Sequence, residues 1–400
     1  KRMLELDDNE KAIFQKIKDS GKFKKTVVLL NSVFAMEMDW LDEYNVDAVL
    51  WVGNPGFYGM PGAIRVVTGE VNPSGHTTAT FAANSLSAPS AENFGLHAYN
   101  YGSKTPRAAG DSFVSYNEGI YVGYRYYETR YEDTILGQGN ADSAVGTKAS
   151  TDGWNYAEEV CFPFGYGLSY TTYEYNLDKL DYNSDTDTFT ATVTVSNTGD
   201  RDGKATVELY AQTPYTDYDK ENGVEKSAVS LVGFGKTGMI EPGASETLSM
   251  TVNKRDIASY DTYGAGTYIL DAGDYYFTAA TDAHNAVNNI LAAKGYTVEN
   301  TNGRMTENGN TDLVWKWTND TLDTTTFSTG ANGTAITNLF DESDPNKSSD
   351  APGSVTWMSR SDWTGTIPTA PAQLTANETL AASLAFTKYD GSEANSVEMP

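Results

Sequence analysis

The sequence predicts two architectures in one chain, an α/β region followed by an all-β region. Two continuous apolar runs near the start, TVVLL at 26–30 and AVLWV at 48–52, are typical of parallel strands that are buried on both faces. From Phe162 to Glu299 the pattern changes to alternating apolar and polar residues, broken by turns rich in glycine, aspartate and asparagine. The 26 tyrosines also favour strands over helical bundles.

The first 70 residues alternate between helix and strand signals. Asp7 or Asp8 can cap a helix, and Gly21 can end it. Short connections between such elements predict a parallel sheet with right-handed crossovers. Two strands cannot close that sheet, so we expect the chain to begin inside a domain. The elements after the first helix are a strand, a helix, a strand and a helix, predicted at 26–31, 36–44, 48–52 and 63–68.

The segment YNEGIYVGYRYYETR at 116–130 is rich in tyrosine. Ile120, Val122 and Tyr124 alternate with the residues between them, and this period of two predicts a half-buried strand. Residues 132–155 are polar and poor in pattern, so they predict a surface loop.

The all-β region gives a pair of strands in each of three segments, 189–214, 231–252 and 266–281. Six or seven strands at this spacing predict a β-sandwich. Asp271 and Asp274 bracket a turn within it, where aspartate is favoured for its turn geometry. The remaining residues are rich in threonine, asparagine and proline, and they predict a long irregular connector.

Charge and composition exclude several classes of partner. The formal charge of −26 disfavours nucleic acid and anionic membranes. Cys161 is the single cysteine, so an internal disulfide is excluded, and the three histidines show no metal-site spacing. We therefore expect no metal and no cofactor. The apolar runs are also too short to span a bilayer.

Seven strings occur along the chain in the order VVLLNS, VDAVLW, VNPSG, EGIYVGYRYYET, FPFGYGLSYTTYEY, VSNTGDRDGKATVELY and LVGFGKTGMIEPGASETL. Together they resemble the C-terminal half of glycoside hydrolase family 3, the family of many β-glucosidases and β-xylosidases. The resemblance implies that 1–115 is the C-terminal part of an (α/β)6 sandwich domain and that 162–299 is a fibronectin type III-like domain. Between them, 116–161 would hold the tyrosine-rich strand and surface loop. The order of the seven strings is the order in which the family has them.

The tail, 300–400, carries a second resemblance. SVTWMSRSDWTGTIPT, with the run that ends in EMP, is similar to the connector of circularly permuted family members. In those proteins the catalytic barrel follows the fibronectin-like domain. The resemblance therefore implies a connector toward a (β/α)8 barrel that begins beyond Pro400.

Retaining hydrolysis of a glycosidic bond needs two carboxyl groups about 5–5.5 Å apart. In the family the nucleophile is an aspartate on the barrel, and the acid/base is a glutamate in a loop of the α/β sandwich. The resemblance implies that this loop lies just upstream of Lys1. We therefore expect no catalytic residue in this chain.

Carboxylates within the chain have simpler explanations than catalysis. Charge on the solvent face of a short helix explains Glu37, Asp39 and Asp42. Hydrogen bonds that pin the tyrosine-rich strand explain Glu118 and Glu128. None of these groups has an evident catalytic partner in the sequence.

Sugar-contacting residues are predicted in two places. Asn31, Ser32, Asn54 and Phe57 follow the two parallel strands, where α/β sheets place ligand contacts, although turn and capping roles explain them as well.

The second place is the tail. Arg360, Asp362 and Trp363 are predicted to bind substrate, with Trp357 beside them, because aromatic rings stack on the apolar face of a pyranose. The alternative is that this cluster anchors an otherwise loose tail.

The predicted function is part of a retaining β-glycosidase, most simply a β-glucosidase, that releases terminal sugars from β-linked oligosaccharides. A β-xylosidase, an N-acetylglucosaminidase and a non-catalytic carbohydrate-binding or surface β-sandwich protein are the alternatives. The partners would be the substrate, the missing barrel and the rest of the (α/β)6 domain. Composition favours an extracellular or cell-surface bacterial protein, with a cytoplasmic enzyme as the alternative.

Overall fold

The fold begins with a parallel pair of strands surrounded by helices. The elements are α1 (Asp8–Ser20), β1 (Val27–Leu30), α2 (Trp40–Glu43), β2 (Ala48–Trp51) and α3 (Gly56–Val67). Strands β1 and β2 pair in parallel, as the apolar runs predict. We call residues 4–70 the α/β region. The computed structural model describes residues 4–95, 97–100, 112–347, 355–363 and 373–384.

Helix α1 has the ends that its sequence predicts. Asp7 accepts hydrogen bonds from the backbone N–H groups of Asn9 and Glu10, while the Glu10 carboxylate accepts from the N–H of Asp7. This reciprocal capping box satisfies amides that have no partner inside the helix. Gly21 ends the helix with φ of 58°, a left-handed conformation that glycine adopts without strain.

The two parallel strands are less buried than predicted. Only Leu30 of β1 is buried, and Val27 is 46% exposed, so the expectation of strands buried on both faces is wrong here. Their sheet has no third strand among the described residues, and a parallel sheet is buried only when strands and helices cover it on all sides. The small core of this region consists of Leu6, Leu30, Met38, Trp40, Tyr44 and Phe81.

A middle segment links the α/β region to the rest of the molecule. Its longest element is the helix α4, and β3 pairs with β6 in an antiparallel bridge between its two ends. The elements are β3 (Phe81–Ala82), β4 (His97–Asn100), β5 (Ser112–Phe113), α4 (Tyr124–Leu136), α5 (Tyr156–Glu159) and β6 (Val160–Phe162).

The tyrosine-rich segment is a helix, so the strand predicted for it is wrong. Helix α4 starts after Gly123 and ends at Gly137, and the alternation of Ile120 with Val122 lies in the turn before it. The helical spacing of Tyr124, Tyr127 and Tyr131, at i, i+3 and i+7, decides the local structure. The helix is buried on almost all sides, charged residues included.

The predicted β-sandwich is present and consists of two antiparallel sheets. One sheet has the strand order β10-β9-β14-β15 and the other β11-β8-β7. The strand β15 comes from the range predicted as connector, because its apolar residues pair with β14 and complete the sheet edge. The elements are β7 (Tyr173–Asn183), β8 (Thr188–Asn197), β9 (Thr206–Gln212), α6 (Asp217–Asn222), β10 (Ser230–Lys236), β11 (Ser245–Asn253), β12 (Ser259–Asp261), β13 (Thr267–Ile269), β14 (Gly273–Ala280), α7 (Ala283–Ala293) and β15 (Val314–Asn319).

The two sheets enclose an aromatic and aliphatic core. Strand β8 alternates strictly, with Phe189, Val193 and Val195 fully buried between polar neighbours. The rings of Phe189 and Phe277 meet across the sandwich with centroids 4.8 Å apart. Inward residues from both sheets thus build one core, as expected for a sandwich.

Helices α4 and α7 cover the outer face of the four-stranded sheet and form a second core with it. The tail returns to this layer at residues 355–363, and it adds β16 (Gln373–Thr375) beside β4 and the helix α8 (Glu378–Leu384). None of the helices within the described ranges is long and apolar enough to cross a membrane.

Candidate functional site

Polar and aromatic residues meet where β1 and β2 end. Asn31 follows β1 directly, Asn54 lies on the connection from β2 to α3, and Phe57 lies in the first turn of α3. The three line one open depression of about 320 Å3, at the lower end of the range for small-molecule sites. The structure therefore brings together three of the four residues predicted at this edge.

Ser32 has the turn role that the sequence also allows. Its hydroxyl accepts a hydrogen bond from the N–H of Phe34 at 3.1 Å and lies 2.9 Å from the Phe34 oxygen. Trp51 donates its indole N–H to the Ser32 carbonyl and so fastens this turn to β2. Phe57 is fully exposed, which leaves its ring open to a ligand or to another part of a protein.

Of the three carboxylates after β1 that the sequence predicts to face solvent, one is buried and two are exposed. Glu37 is buried rather than solvent-facing as predicted, and it accepts hydrogen bonds from the N–H and the hydroxyl of Ser85 at 2.9 and 2.7 Å. Its role is to fix the segment before Ser85. Asp39 and Asp42 are exposed, as predicted.

Two of the motifs that carry the family resemblance form a hydrogen-bonded junction between the α/β region and the sandwich. Asn72 of NPSG accepts from the Ser169 hydroxyl and the Tyr170 N–H at 2.9 and 2.7 Å, and it donates to the Asp202 carbonyl at 2.9 Å. A Cβ at Gly167 would collide with the Gly75 carbonyl oxygen. These motifs therefore position two domains against each other.

Two of the three predicted substrate-binding residues of the tail, Arg360 and Trp363, lie in the interior instead of in an open cleft. The Arg360 guanidinium binds both carboxylate oxygens of Asp133 and donates to Glu132 at 3.0 Å. Trp363 is fully buried and donates its indole N–H to Asp133 at 2.8 Å. The Arg360 side chain also packs over the ring of Tyr215, 4.8 Å from its centroid.

Charge in this cluster is compensated within the protein. Burial disfavours the charged form of Arg360, but the carboxylates of Asp133 and Glu132 outweigh it and raise the Arg360 pKa. Burial raises the pKa of Asp133 and is only partly opposed by Arg360. Glu132 is also desolvated, but Lys294 and Arg360 together lower its pKa. The cluster is thus a buried ion network in which each charge needs its partners.

The described arrangement is the anchoring contact, one of the two interpretations that the sequence left open. Arg360 and Trp363 hold the tail against α4, and Asp362 lies at the surface beside Asn140, 3.4 Å from its amide nitrogen. A sugar-binding role for the three residues stays a prediction. Sequence reasoning missed Glu132 and Asp133, which it placed at the start of a surface loop; their signal was the helical spacing of the tyrosines before them.

A second buried network joins α4 to α7. Glu128 accepts from the Tyr156 hydroxyl at 2.5 Å and lies 2.8 Å from Nδ1 of His284, whose Nε2 is 2.7 Å from the Thr306 hydroxyl. Glu128 was predicted to pin this segment by hydrogen bonds, and it does so in a helix rather than in a strand. Glu118 is also buried, and burial raises its pKa.

Comparison with known proteins places these features in context. Residues 1–124 match the model of the glycosyl hydrolase family 3 C-terminal domain, and residues 205–283 match that of a fibronectin type III-like domain. A β-glucosidase of Ruminococcus albus is 34% identical over 287 residues, and thermostable β-glucosidase B of Acetivibrio thermocellus is 33% identical over 240 residues. The matches cover 70% and 59% of this chain, but 25% of either relative.

Solved structures give the same result. A β-glucosidase from Paenibacillus barengoltzii superposes with a TM-score of 0.54 at 29% identity, over 69% of this chain and 26% of that protein. β-Glucosidase 3B from Thermotoga neapolitana, solved with α-D-glucose, gives a TM-score of 0.52 at 28% identity, over 70% of this chain and 33% of that protein. This chain is therefore similar to one part of much longer proteins.

Proposed function

We propose, because this chain belongs to glycosyl hydrolase family 3, that it is the accessory part of a retaining β-glucosidase and contributes neither catalytic carboxylate. The observation that carries the proposal is the order of its two family domains, which the hydrogen bonds of Asn72 join. The matched part of the chain corresponds to about a quarter of the length of the similar β-glucosidase. The other components would be a (β/α)8 barrel and the remainder of the α/β sandwich domain.

The carboxylates of the described residues support an accessory role. A retaining enzyme needs two accessible carboxyl groups about 5–5.5 Å apart, one of them kept protonated. Glu37, Glu128 and Asp133 are buried and accept hydrogen bonds from neighbouring groups of the chain. Their hydrogen bonds stabilise the fold, and no carboxylate of the described residues lines the depression at the β1–β2 edge.

The depression at the β1–β2 edge is the surface that we assign to contact with the sugar or with the barrel that holds it. Asn31 and Asn54 offer amide donors and acceptors, and the exposed Phe57 ring offers a stacking surface. A terminal β-linked glucosyl unit is the proposed substrate group, since the similar proteins are β-glucosidases.

Reconstitution tests the function. The chain alone and the chain expressed with the rest of its gene are assayed with p-nitrophenyl β-glucoside, β-xyloside and N-acetyl-β-glucosaminide. We expect no turnover by the chain alone and preferential hydrolysis of the glucoside by the complete protein. Turnover by the chain alone at a rate above that of a heat-denatured control would refute the accessory role. Preference for either other glycoside would refute the β-glucosidase assignment.

We also propose that the protein acts outside the cell or at the surface of a bacterium. The support is compositional: one cysteine, 26 tyrosines and a formal charge of −26. Fractionation of cells followed by immunodetection tests it. Recovery of the protein in the cytoplasmic fraction would establish the alternative, an enzyme that cleaves imported disaccharides.

A further inference from the structure

A lysine and two aspartates meet in the interior of the sandwich domain, apart from the surfaces discussed above. The Lys226 Nζ lies 2.5 Å from Oδ2 of Asp271 and 3.3 Å from Oδ1 of Asp219. The side chains of all three are at most 2% exposed. Lys226 precedes β10, Asp271 precedes β14, and Asp219 is on α6, so three separate elements supply the cluster.

As ions, these groups form a poorly compensated cluster. Two carboxylates face one ammonium, and Oδ1 of Asp271 has no hydrogen-bond donor although it is buried. Such a site carries an unfavourable desolvation free energy, which one ammonium shared between two carboxylates offsets only in part. A lysine beside a carboxyl group, with a second carboxyl group within reach and water excluded, is an arrangement suited to condensation.

We propose that Lys226 and Asp271 become joined by an isopeptide bond, with Asp219 as the group that positions protons for the reaction. A proton first passes from the Lys226 ammonium to the Asp271 carboxylate, which leaves a neutral amine beside a neutral acid. The Lys226 nitrogen then attacks Cγ of Asp271, and a C–N bond forms. The C–O bond breaks, the hydroxyl group takes the second amine proton, and one water molecule leaves.

Asp219 lies beside the reacting amine, with its Oδ1 3.3 Å from the Lys226 Nζ. Burial raises its pKa to about 6, although Lys226 opposes this effect, so its carboxyl group can be protonated within the ordinary pH range. A neutral Asp219 carboxyl can donate a hydrogen bond to the oxygen that becomes negative during attack, as a general acid does. The Thr216 N–H and hydroxyl fix its other oxygen at 2.7 and 2.9 Å.

Proximity is what makes the condensation favourable in a folded protein. Groups held in reacting geometry have effective concentrations on the order of 10⁵–10⁸ M, far above that of a free amine and acid. The fold also holds both backbones: the Lys226 carbonyl accepts from Arg360 at 3.1 Å, and the Asp271 carbonyl accepts from Asn319 at 2.9 Å and from Tyr275 at 3.1 Å. The bond would tie the approach to β10 covalently to the start of β14.

Intact-mass spectrometry of the purified 400-residue chain tests the proposal directly. We expect a mass lower than that of the sequence by one water molecule. Tryptic digestion should yield a branched peptide that contains both Lys226 and Asp271, with no cleavage after Lys226. The pair Lys316–Asp274 in the same domain is the internal control. Solvent reaches both side chains, so no bond should form between them and trypsin should cut after Lys316 as usual.

Three variants sharpen the test. Lys226→Arg should have the full sequence mass, since a guanidinium is not a nucleophile here. Asp271→Asn should lose ammonia instead of water. Most molecules of the Asp219→Ala variant should keep the full sequence mass over the time in which the natural chain reacts completely. A natural chain with its full sequence mass, or a water loss that maps to any other residue, would overturn the proposal even if a variant failed to fold.

Discussion

The α/β region and the β-sandwich both contain many apolar residues, but they use them differently. Helices α1 and α3 have no buried residue, and Phe57 and Tyr58 of α3 are almost completely exposed. In the sandwich, Phe189 of β8 and Phe277 of β14 are fully buried. The comparison shows that the sandwich buries its apolar faces against itself, whereas the α/β region presents apolar faces that need other elements to cover them.

Sheet type explains the difference. An antiparallel sandwich covers the inner face of each sheet with the other sheet, so one segment of chain supplies the whole core. A parallel sheet needs neighbouring strands and a helical layer on each face. The pair β1–β2 has neither in full among the described residues, and its exposed apolar surface has the character of an interface.

The largest predicted effect contrasts the two regions directly. Phe277→Ala should reduce the unfolding free energy of the sandwich by about 3–5 kcal/mol, because it leaves a cavity beside Phe189. Ile64→Ala in α3 should change stability by less than about 0.5 kcal/mol, because Ile64 is already 47% exposed. Urea unfolding followed by fluorescence measures both. Equal losses would show that α3 is packed as tightly as the sandwich core.

Arg360→Ala should destabilise the anchored tail by about 3–5 kcal/mol, because it leaves Asp133 buried without its cation and Glu132 paired with Lys294 alone. The matched control is Arg65→Ala in the α/β region, where the pair with Glu70 is exposed and its loss should not be measurable. Limited proteolysis should then cut the first variant near residues 355–363 and leave the second unchanged. Resistance of the Arg360 variant to cleavage would contradict the anchoring role.

Glu208, on β9, should make the sandwich sensitive to pH. Burial raises its pKa to about 7, opposed by the hydrogen bond from Tyr210 and reinforced by the charge of Asp282. Between the ordinary glutamate pKa of about 4.5 and this raised pKa, the folded state holds a proton that the unfolded state releases. The contribution of Glu208 to stability is therefore highest below about pH 4.5 and falls as the pH rises to about 7. The fall is at most about 3 kcal/mol.

Glu208→Gln removes this titration and should flatten the dependence of the unfolding free energy on pH over the same window. The control is Glu174→Gln on β7, an exposed position that should keep the natural profile. A Glu208→Gln profile identical to that of the natural chain would show that another group titrates.

The smallest predicted effect concerns the junction between the two regions. Asn72→Ala removes acceptors for the Ser169 hydroxyl and the Tyr170 N–H and should cost about 1 kcal/mol, because both donors can turn to water. Asn9→Ala on the exposed face of α1 is the control. Small-angle scattering should show a broader distribution of distances for the Asn72 variant alone. Indistinguishable scattering curves would mean that the remaining junction contacts suffice.

Much of the fold followed from local signals. The helix cap, which the sequence left open between Asp7 and Asp8, and the alternation of β8 depend on a few neighbouring residues. The parallel pairing of β1 with β2 follows from the short connections through a helix between them. The strand prediction for the tyrosine-rich segment was wrong because the alternation of Ile120 with Val122 covers too few residues. The helical period that determines the structure begins at Tyr124.

The environment of the candidate site residues was harder to predict. Arg360 meets Asp133 across 227 residues of sequence, and no local pattern records such a contact. Asn31, Asn54 and Phe57 were placed correctly because one topological rule, that parallel strands end at the same edge, is sufficient for them. Long-range ion networks follow from tertiary packing and have no comparable rule.

Native-state hydrogen exchange on the whole chain tests the central comparison most directly. We expect the amides of β8, β9 and β14 to exchange only through global unfolding, and those of β1, β2 and α3 to exchange faster by a factor on the order of a hundred, through local opening. That result would establish the sandwich as the self-sufficient unit and the α/β region as one that other elements complete. Equal protection of the two sets of amides would contradict the account.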